Sequence, residues 1–392
     1  MSARPDGQGG AGSADGSGGV GGSGGAAGPG DLGDLGELHR ELRAVARDLL
    51  RRNAAKAGPD QTYATVDWSL LADTGWLGLE APEELDGAGV TFAEVAVVLH
   101  ELGRAAASTP YLGSAVLGVG ALRLLEAGPG RDELLRAAAV GSQRLAVALP
   151  TGDDDTAAFR LDAHRVSGQA DFVPDAAGAD QVLLLAVDPD GLPVVVRVRP
   201  GDPGVTVTDR PVLDETRGLG TVVVDGAPVD PASVWRFAGD DPAAAARRLR
   251  DRAALAMACD GLGLAEAMLE TTVEYAGTRR QFGRPIGSFQ AVKHACADMF
   301  VQIAVGRELL GEAVRSVAAD DPDAGIAVSR AKSYVCVAAV DIVGAAMQLH
   351  GGIGYTWEGG VHVYLKRALL NRSLFGAPAA HRARLGARFA AP

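Results

Sequence analysis

A chain of 392 residues with 47% hydrophobic content is long enough to bury a large core and leads us to expect two or three domains. Thirty-seven basic against 49 acidic residues give a net charge of -12, which argues against nucleic acid or an anionic membrane as the main partner. That sum does not exclude an anionic small-molecule substrate, because phosphate binding is decided by local arginines and lysines.

Composition changes along the chain. Met1 to Gly30 is a Gly/Ser/Ala tract without apolar periodicity, expected to be a disordered tail, and it lacks the apolar core of a signal peptide. Residues 31–140 carry helical spacing, including Leu38-Leu42-Val45-Leu49 and Val95 to Leu102, with a turn signature at Glu83 to Gly89. Residues 141–240 change to strand period, with β-branched runs Val182–Val187, Val194–Val198, Val205–Thr208 and Thr221–Val224. Asp188-Pro189-Asp190-Gly191 predicts a hairpin between the first two. Residues 241–392 are helical again.

In this last region Leu262, Ala265, Leu269, Val273 and Ala276 line one helical face, and Gly283 with Pro285 is expected to stop the helix. Ser288 and Gln290 restart a helix through Val292, Ala295 and Met299. The long stretch from Ile326 to Leu349 is rich in Ala, Val and Gly, but Arg330, Lys332 and Asp341 interrupt it and argue against a membrane span. Cys259, Cys296 and Cys336 lie in apolar helical patterns, as buried thiols of a reducing cytoplasm do. The seven histidines form no ligand cluster, so no metal is expected.

Two segments stand out. Tyr275 to Gln290 reads Y-A-G-T-R-R-Q-F-G-R-P-I-G-S-F-Q, and arginines at a helix end suit a pyrophosphate through paired charged hydrogen bonds. Gln348 to Tyr355 reads Q-L-H-G-G-I-G-Y, where two adjacent glycines admit the close approach of a ligand or another backbone. Alone, the first could be a solvated basic helix end and the second an ordinary glycine cap.

Together these segments resemble the acyl-CoA dehydrogenase family of flavoenzymes. The phrase Trp76-Leu77-Gly78-Leu79 through Gly89 is also similar to that family's N-terminal domain. The resemblance implies an α+β fold: an N-terminal helical domain, a middle antiparallel β domain and a C-terminal four-helix bundle. It implies FAD, with Arg279, Gln281, Phe282, Gln290, Gln348, Gly351 and Gly352 as cofactor-binding residues that reach the dinucleotide of a neighbouring subunit. Phe172, in Gly168 to Pro174, takes the place of the aromatic ring laid against the isoalloxazine, while Pro174 stands where a flavin-facing hydroxyl is usual. Ala148 to Thr151 replaces a longer family loop, and departures of this kind resemble the divergent members common in actinobacterial lipid and polyketide pathways.

The resemblance also implies oxidation of an acyl-CoA or acyl-carrier-protein thioester to a C=C bond, with electrons passing to electron-transfer flavoprotein or another acceptor. Such chemistry needs a base for the α-proton, donors for the enolate-like oxygen and a hydride acceptor. The family's two customary base positions carry Phe375 and Ala253 here. Asp260, two helical turns beyond Ala253, is the candidate catalytic base, since desolvation would raise its pKa; its alternative role is an acid paired with a basic residue. Glu358 and Asp251 are weaker candidates. Two functions follow: an FAD-dependent dehydrogenase using Asp260, working as a homo-dimer or tetramer, or a non-catalytic subunit that completes the FAD site of a homologous chain in a hetero-oligomer.

Overall fold

The computed structural model describes residues 36–54, 63–151 and 157–390. The Met1–Gly30 tract lies outside the described residues. Among the described residues, five α-helices come first: α1 (Glu37–Ala54), α2 (Trp68–Asp73), α3 (Phe92–Arg104), α4 (Gly120–Arg123) and α5 (Pro129–Ala139), with a π-helical run Leu112–Val119 leading into α4. The start of α3 is fixed by a capping box: the Thr91 hydroxyl accepts from the Ala93 N–H at 3.1 Å, and Glu94 Oε2 accepts from the Thr91 N–H at 2.9 Å.

Eight strands follow among the described residues: β1 (Leu145–Ala148), β2 (Phe159–Asp162), β3 (Arg165–Pro174), β4 (Gln181–Val187), β5 (Pro193–Val198), β6 (Val205–Asp209), β7 (Leu219–Pro228) and β8 (Val234–Arg236). They form one sheet in the order β6-β7-β3-β2-β4-β5-β8, and β1 also pairs with β4. The predicted hairpin joins β4 to β5, and Asp188 Oδ1 accepts the N–H groups of Asp190 and Leu192 to shape its turn. The expected antiparallel sheet is corrected in one respect, because β1 and β2 run parallel to β4 and share the same edge of it. That arrangement buries both faces of β4. Leu183 and Leu185 join the helical core, while Val182, Leu184 and Ala186 join a second core on the opposite face.

The C-terminal helices are α6 (Pro242–Thr278), α7 (Gln290–Ala318), α8 (Ala324–His350), α9 (Val361–Ser373) and α10 (Pro378–Ala390). Pro242 opens α6, and the Asp241 carboxylate caps it by accepting from the Ala244 N–H at 2.8 Å. Helix α8 is long and apolar enough to cross a membrane, but it is the central helix of the bundle, packed against α6, α7, α9 and α10. Its Lys332 is fully buried with the ammonium donating to the Asn371 carbonyl oxygen. Cys259 and Cys336 are buried as expected; Cys296 is only half-buried, near the start of α7.

Helices α3 and α6 approach so closely that only glycine fits at two points. A Cβ on Gly103 would collide with the Asp260 carbonyl, and one on Gly263 with the His100 carbonyl. Gly263→Ala is therefore expected to destabilise the protein by about 1–3 kcal/mol, visible as a lower thermal midpoint; an unchanged melting curve would show that the two helices can part without penalty.

Candidate functional site

The helix before the first singled-out segment ends at Thr278, five residues earlier than expected. Arg279 is extended, and a two-residue ladder forms between β9 (Arg280–Gln281) and β10 (Arg284–Pro285), closed at its base by Ile286 N–H to Arg279 O at 2.8 Å. Phe282 and Gly283 make the tip, both with positive φ, of 50° and 77°. Phe282 is 90% exposed, an unusual position for an aromatic ring that does not meet another surface. Its edge contacts Phe289, whose ring also carries the Arg284 guanidinium at 4.1 Å.

Helix α8 delivers the second segment. The turn after it begins at Gly351, where φ of 60° and ψ of -138° is a conformation essentially restricted to glycine. A Cβ on Gly351 or Gly352 would meet nothing within 4 Å, so a ligand or a partner can reach this backbone. Ile353, Tyr355 and Trp357 beside it are exposed. The two segments are joined by Tyr275, which stacks on His350 at 4.5 Å between ring centroids and 18° between planes. Arg279, Gln281, Phe282, Gln290, Gln348, Gly351 and Gly352 are all exposed. They form an edge open to solvent that presents guanidinium groups and unobstructed backbone.

Phe172 lies elsewhere, on β3, half-buried with φ of 57°. The Arg210 guanidinium covers its ring at 4.4 Å and pairs with Asp171 at 2.9 Å. Nearby, Phe375 is buried, and its backbone N–H donates to the Thr151 carbonyl at 2.8 Å. Thr151 in turn donates its hydroxyl to the Asp171 carbonyl at 3.1 Å. Ala253 is fully buried.

Asp260 sits at the centre of a buried network whose other members are distant in sequence. Arg367 Nε donates to both carboxylate oxygens, at 2.8 and 2.9 Å; Arg217 Nη2 donates at 3.0 Å and Asn371 Nδ2 at 3.2 Å. Arg367 is itself anchored on the Ala107 carbonyl and the Thr216 hydroxyl. The expected rise in the Asp260 pKa is corrected: burial would raise it, but the Arg367 and Arg217 guanidinium groups outweigh burial and hold the carboxyl below the usual carboxylate range. The alternative role, pairing with basic residues, is the one the geometry displays. Sequence reasoning missed Arg217, Arg367 and Asn371, because they sit on a loop and on α9, and no local pattern links them to α6. Asp175 differs from Asp260: burial pushes it up to about 6 although the Gly113 N–H donates to it at 2.7 Å. Glu358 is exposed, and Asp251 pairs with Arg384 at 3.2 Å.

Sequence profiles of the acyl-CoA dehydrogenase N-terminal and C-terminal domains match residues 36–131 and 244–390. The acyl-CoA dehydrogenase IpdE2 of Mycolicibacterium smegmatis is 32% identical over 347 residues, covering 85% of this chain and 95% of that protein. The chain belongs to the acyl-CoA dehydrogenase family. Among solved structures, the ChsE4-ChsE5 complex from Mycobacterium tuberculosis superposes with a TM-score of 0.79 at 31% identity, covering 91% of this chain and 98% of the matched one. A glutaryl-CoA dehydrogenase from Mycobacterium smegmatis in complex with FADH2 shares the fold, with a TM-score of 0.80 at 19% identity, covering 91% of this chain and 95% of that one.

Members of the family are oxidoreductases acting on CH–CH groups, and FAD is the cofactor. The exposed edge fits part of that dinucleotide: the exposed Arg279 guanidinium suits a phosphate and Gly351 and Gly352 leave room for a ring, while Arg280 Nη2 donates to the Gly283 carbonyl at 2.8 Å. Around Phe375 the fit is poor. Its side chain is apolar, its N–H is already given to Thr151, and the nearby strand holds Pro174 in place of a hydroxyl.

Proposed function

We infer that this chain works in FAD-dependent acyl-thioester dehydrogenation as the subunit that completes the flavin site of a homologous chain. The observation that carries this reading is the state of its own carboxylate: Asp260 accepts hydrogen bonds from Arg367, Arg217 and Asn371, and its pKa is held low. A general base needs a pKa near the working pH and a free lone pair aimed at the proton. The Asp260 pKa is held low and its carboxylate is buried among three donors, and the two customary base positions hold buried Phe375 and Ala253.

FAD, when bound, supplies the hydride acceptor. The work of this chain's residues is then binding: Arg279 and Gln281 grip phosphate oxygens, Phe282 buries its ring against the partner, and Gln348 with Gly351 and Gly352 receives the adenosine end. The homologous chain contributes the carboxylate that removes the α-proton of a CoA-borne or carrier-protein-borne acyl group. Electron-transfer flavoprotein or a similar acceptor takes the electrons onward. That the similar ChsE4-ChsE5 structure is a complex of two named chains supports a hetero-oligomer. Catalysis by this chain with Asp260 as base would require the carboxylate to break its pairing with two buried arginines.

The test is anaerobic flavin bleaching by acyl-CoA in the co-expressed pair. Replacing the homologous chain's catalytic Glu by Gln is expected to abolish bleaching, while Asp260→Asn in this chain leaves the rate of the surviving assembly within about threefold. A loss of a hundredfold or more on Asp260→Asn, with flavin still bound, would return the base to Asp260.

A further inference from the structure

We propose that the chain carries a second ligand site, for an amphipathic organic acid, at the end of the bundle opposite the flavin edge. A cavity of about 740 Å³ opens between the first turns of α6, the α7–α8 turn, α10 and the N-terminal helices. Its size suits one medium-sized organic molecule, since ligand pockets commonly span about 300–1,000 Å³. Arg252 on its wall and Arg279 at the flavin edge are 27 residues apart along α6, or about 40 Å at the helical rise, so neither site can share contacts with the other.

The chemistry of the walls sets the ligand class. Phe92, Leu124, Val317, Ile326 and Leu385 supply an apolar lining. Seven arginines against five carboxylates line the same cavity, a local excess of two positive charges in a chain whose net charge is -12. Part of that excess is built in. Arg252, buried with its guanidinium 4.6 Å from the Phe92 ring, and Arg123 both pair with the single carboxylate of Glu80. Arg252 Nε is further fixed by the Val116 carbonyl at 2.6 Å. Nearer the mouth, the Arg248 side chain makes no hydrogen bond or ion pair among the described residues, and Arg388 reaches Asp323 only at 3.8 Å. An apolar body would occupy the interior while its carboxylate meets Arg248 and Arg388 at the rim.

Isothermal titration of the purified full-length chain with sodium dodecanoate, below its micelle concentration, tests this. Saturable one-to-one binding is expected, with dodecanol and inorganic phosphate each binding at least about tenfold more weakly. The double variant Arg248→Glu/Arg388→Glu is expected to weaken dodecanoate about tenfold or more, with an unchanged melting curve, because both side chains are exposed. Binding should persist in the co-expressed pair when its reaction site is saturated with acyl-CoA. The proposal is overturned by the absence of saturable heat, by undiminished binding to the double variant, by phosphate matching dodecanoate, or by displacement with acyl-CoA. None of these outcomes depends on which chain supplies the catalytic base.

Discussion

Asp260→Ala is expected to cost the folded protein about 3–5 kcal/mol, the usual penalty for removing one member of a buried ion pair. The loss is large because Arg367 and Arg217 would remain buried with no carboxylate between them, while Asn371 would lose an acceptor. The effect should depend on pH in a defined direction. The folded Asp260 pKa lies below its unfolded value, so the pairing stabilises fully above the unfolded pKa of about 3.9 and is lost as pH falls through the folded one. Chemical denaturation of parent and variant at neutral pH should therefore show the full difference, and the two curves should converge below about pH 4. A variant as stable as the parent at pH 7 would mean that the network contributes nothing to folding.

Arg279→Ala should leave folding intact and weaken FAD in the assembled protein by about 1.5–3 kcal/mol, roughly 10- to 150-fold. Arg279 is exposed, so its truncation should change stability by no more than about 0.5 kcal/mol. If the guanidinium meets a phosphate across the interface, however, a charge-assisted hydrogen bond disappears in a site from which water is largely excluded. Fluorescence of FAD released on dilution gives the affinity, and calorimetry gives the stability of the same sample. Unchanged flavin retention would remove Arg279 from the cofactor contacts. Paired with Asp260→Ala, this variant tests two separate expectations: an effect on the fold without one on flavin at Asp260, and an effect on flavin without one on the fold at Arg279.

What the sequence disclosed follows the range of the forces involved. The β4–β5 hairpin was legible because Asp188 and Gly191 act on their own neighbours, and the α6 and α8 helices because their apolar spacing is local. The early end of α6 was not. Gly283 and Pro285 pointed to the break, but the chain leaves the helix at Arg279 to form the β9–β10 ladder, an arrangement set by pairing across the turn. Strand β1 escaped notice because it draws its register from the distant β4, and β2, though it forms a tight hairpin with β3, because only Phe159 and Leu161 mark its buried face. At the candidate site, the two singled-out segments were legible as local strings, and the Tyr275–His350 stack, which brings segments 75 residues apart together, was not. The fate of Asp260 was open in the sequence, since whether a buried carboxylate is a base or an anchor depends on partners 43, 107 and 111 residues away.

Flavin stoichiometry tests the division of labour most directly. The chain should be purified alone and together with a homologous chain that retains the catalytic Glu, and bound FAD counted by absorbance against chain mass in each sample. The expected result is little or no flavin on the chain alone, and one FAD for each pair of unlike chains when the two are combined. One FAD per chain in the sample purified alone, bleached by acyl-CoA, would contradict the account.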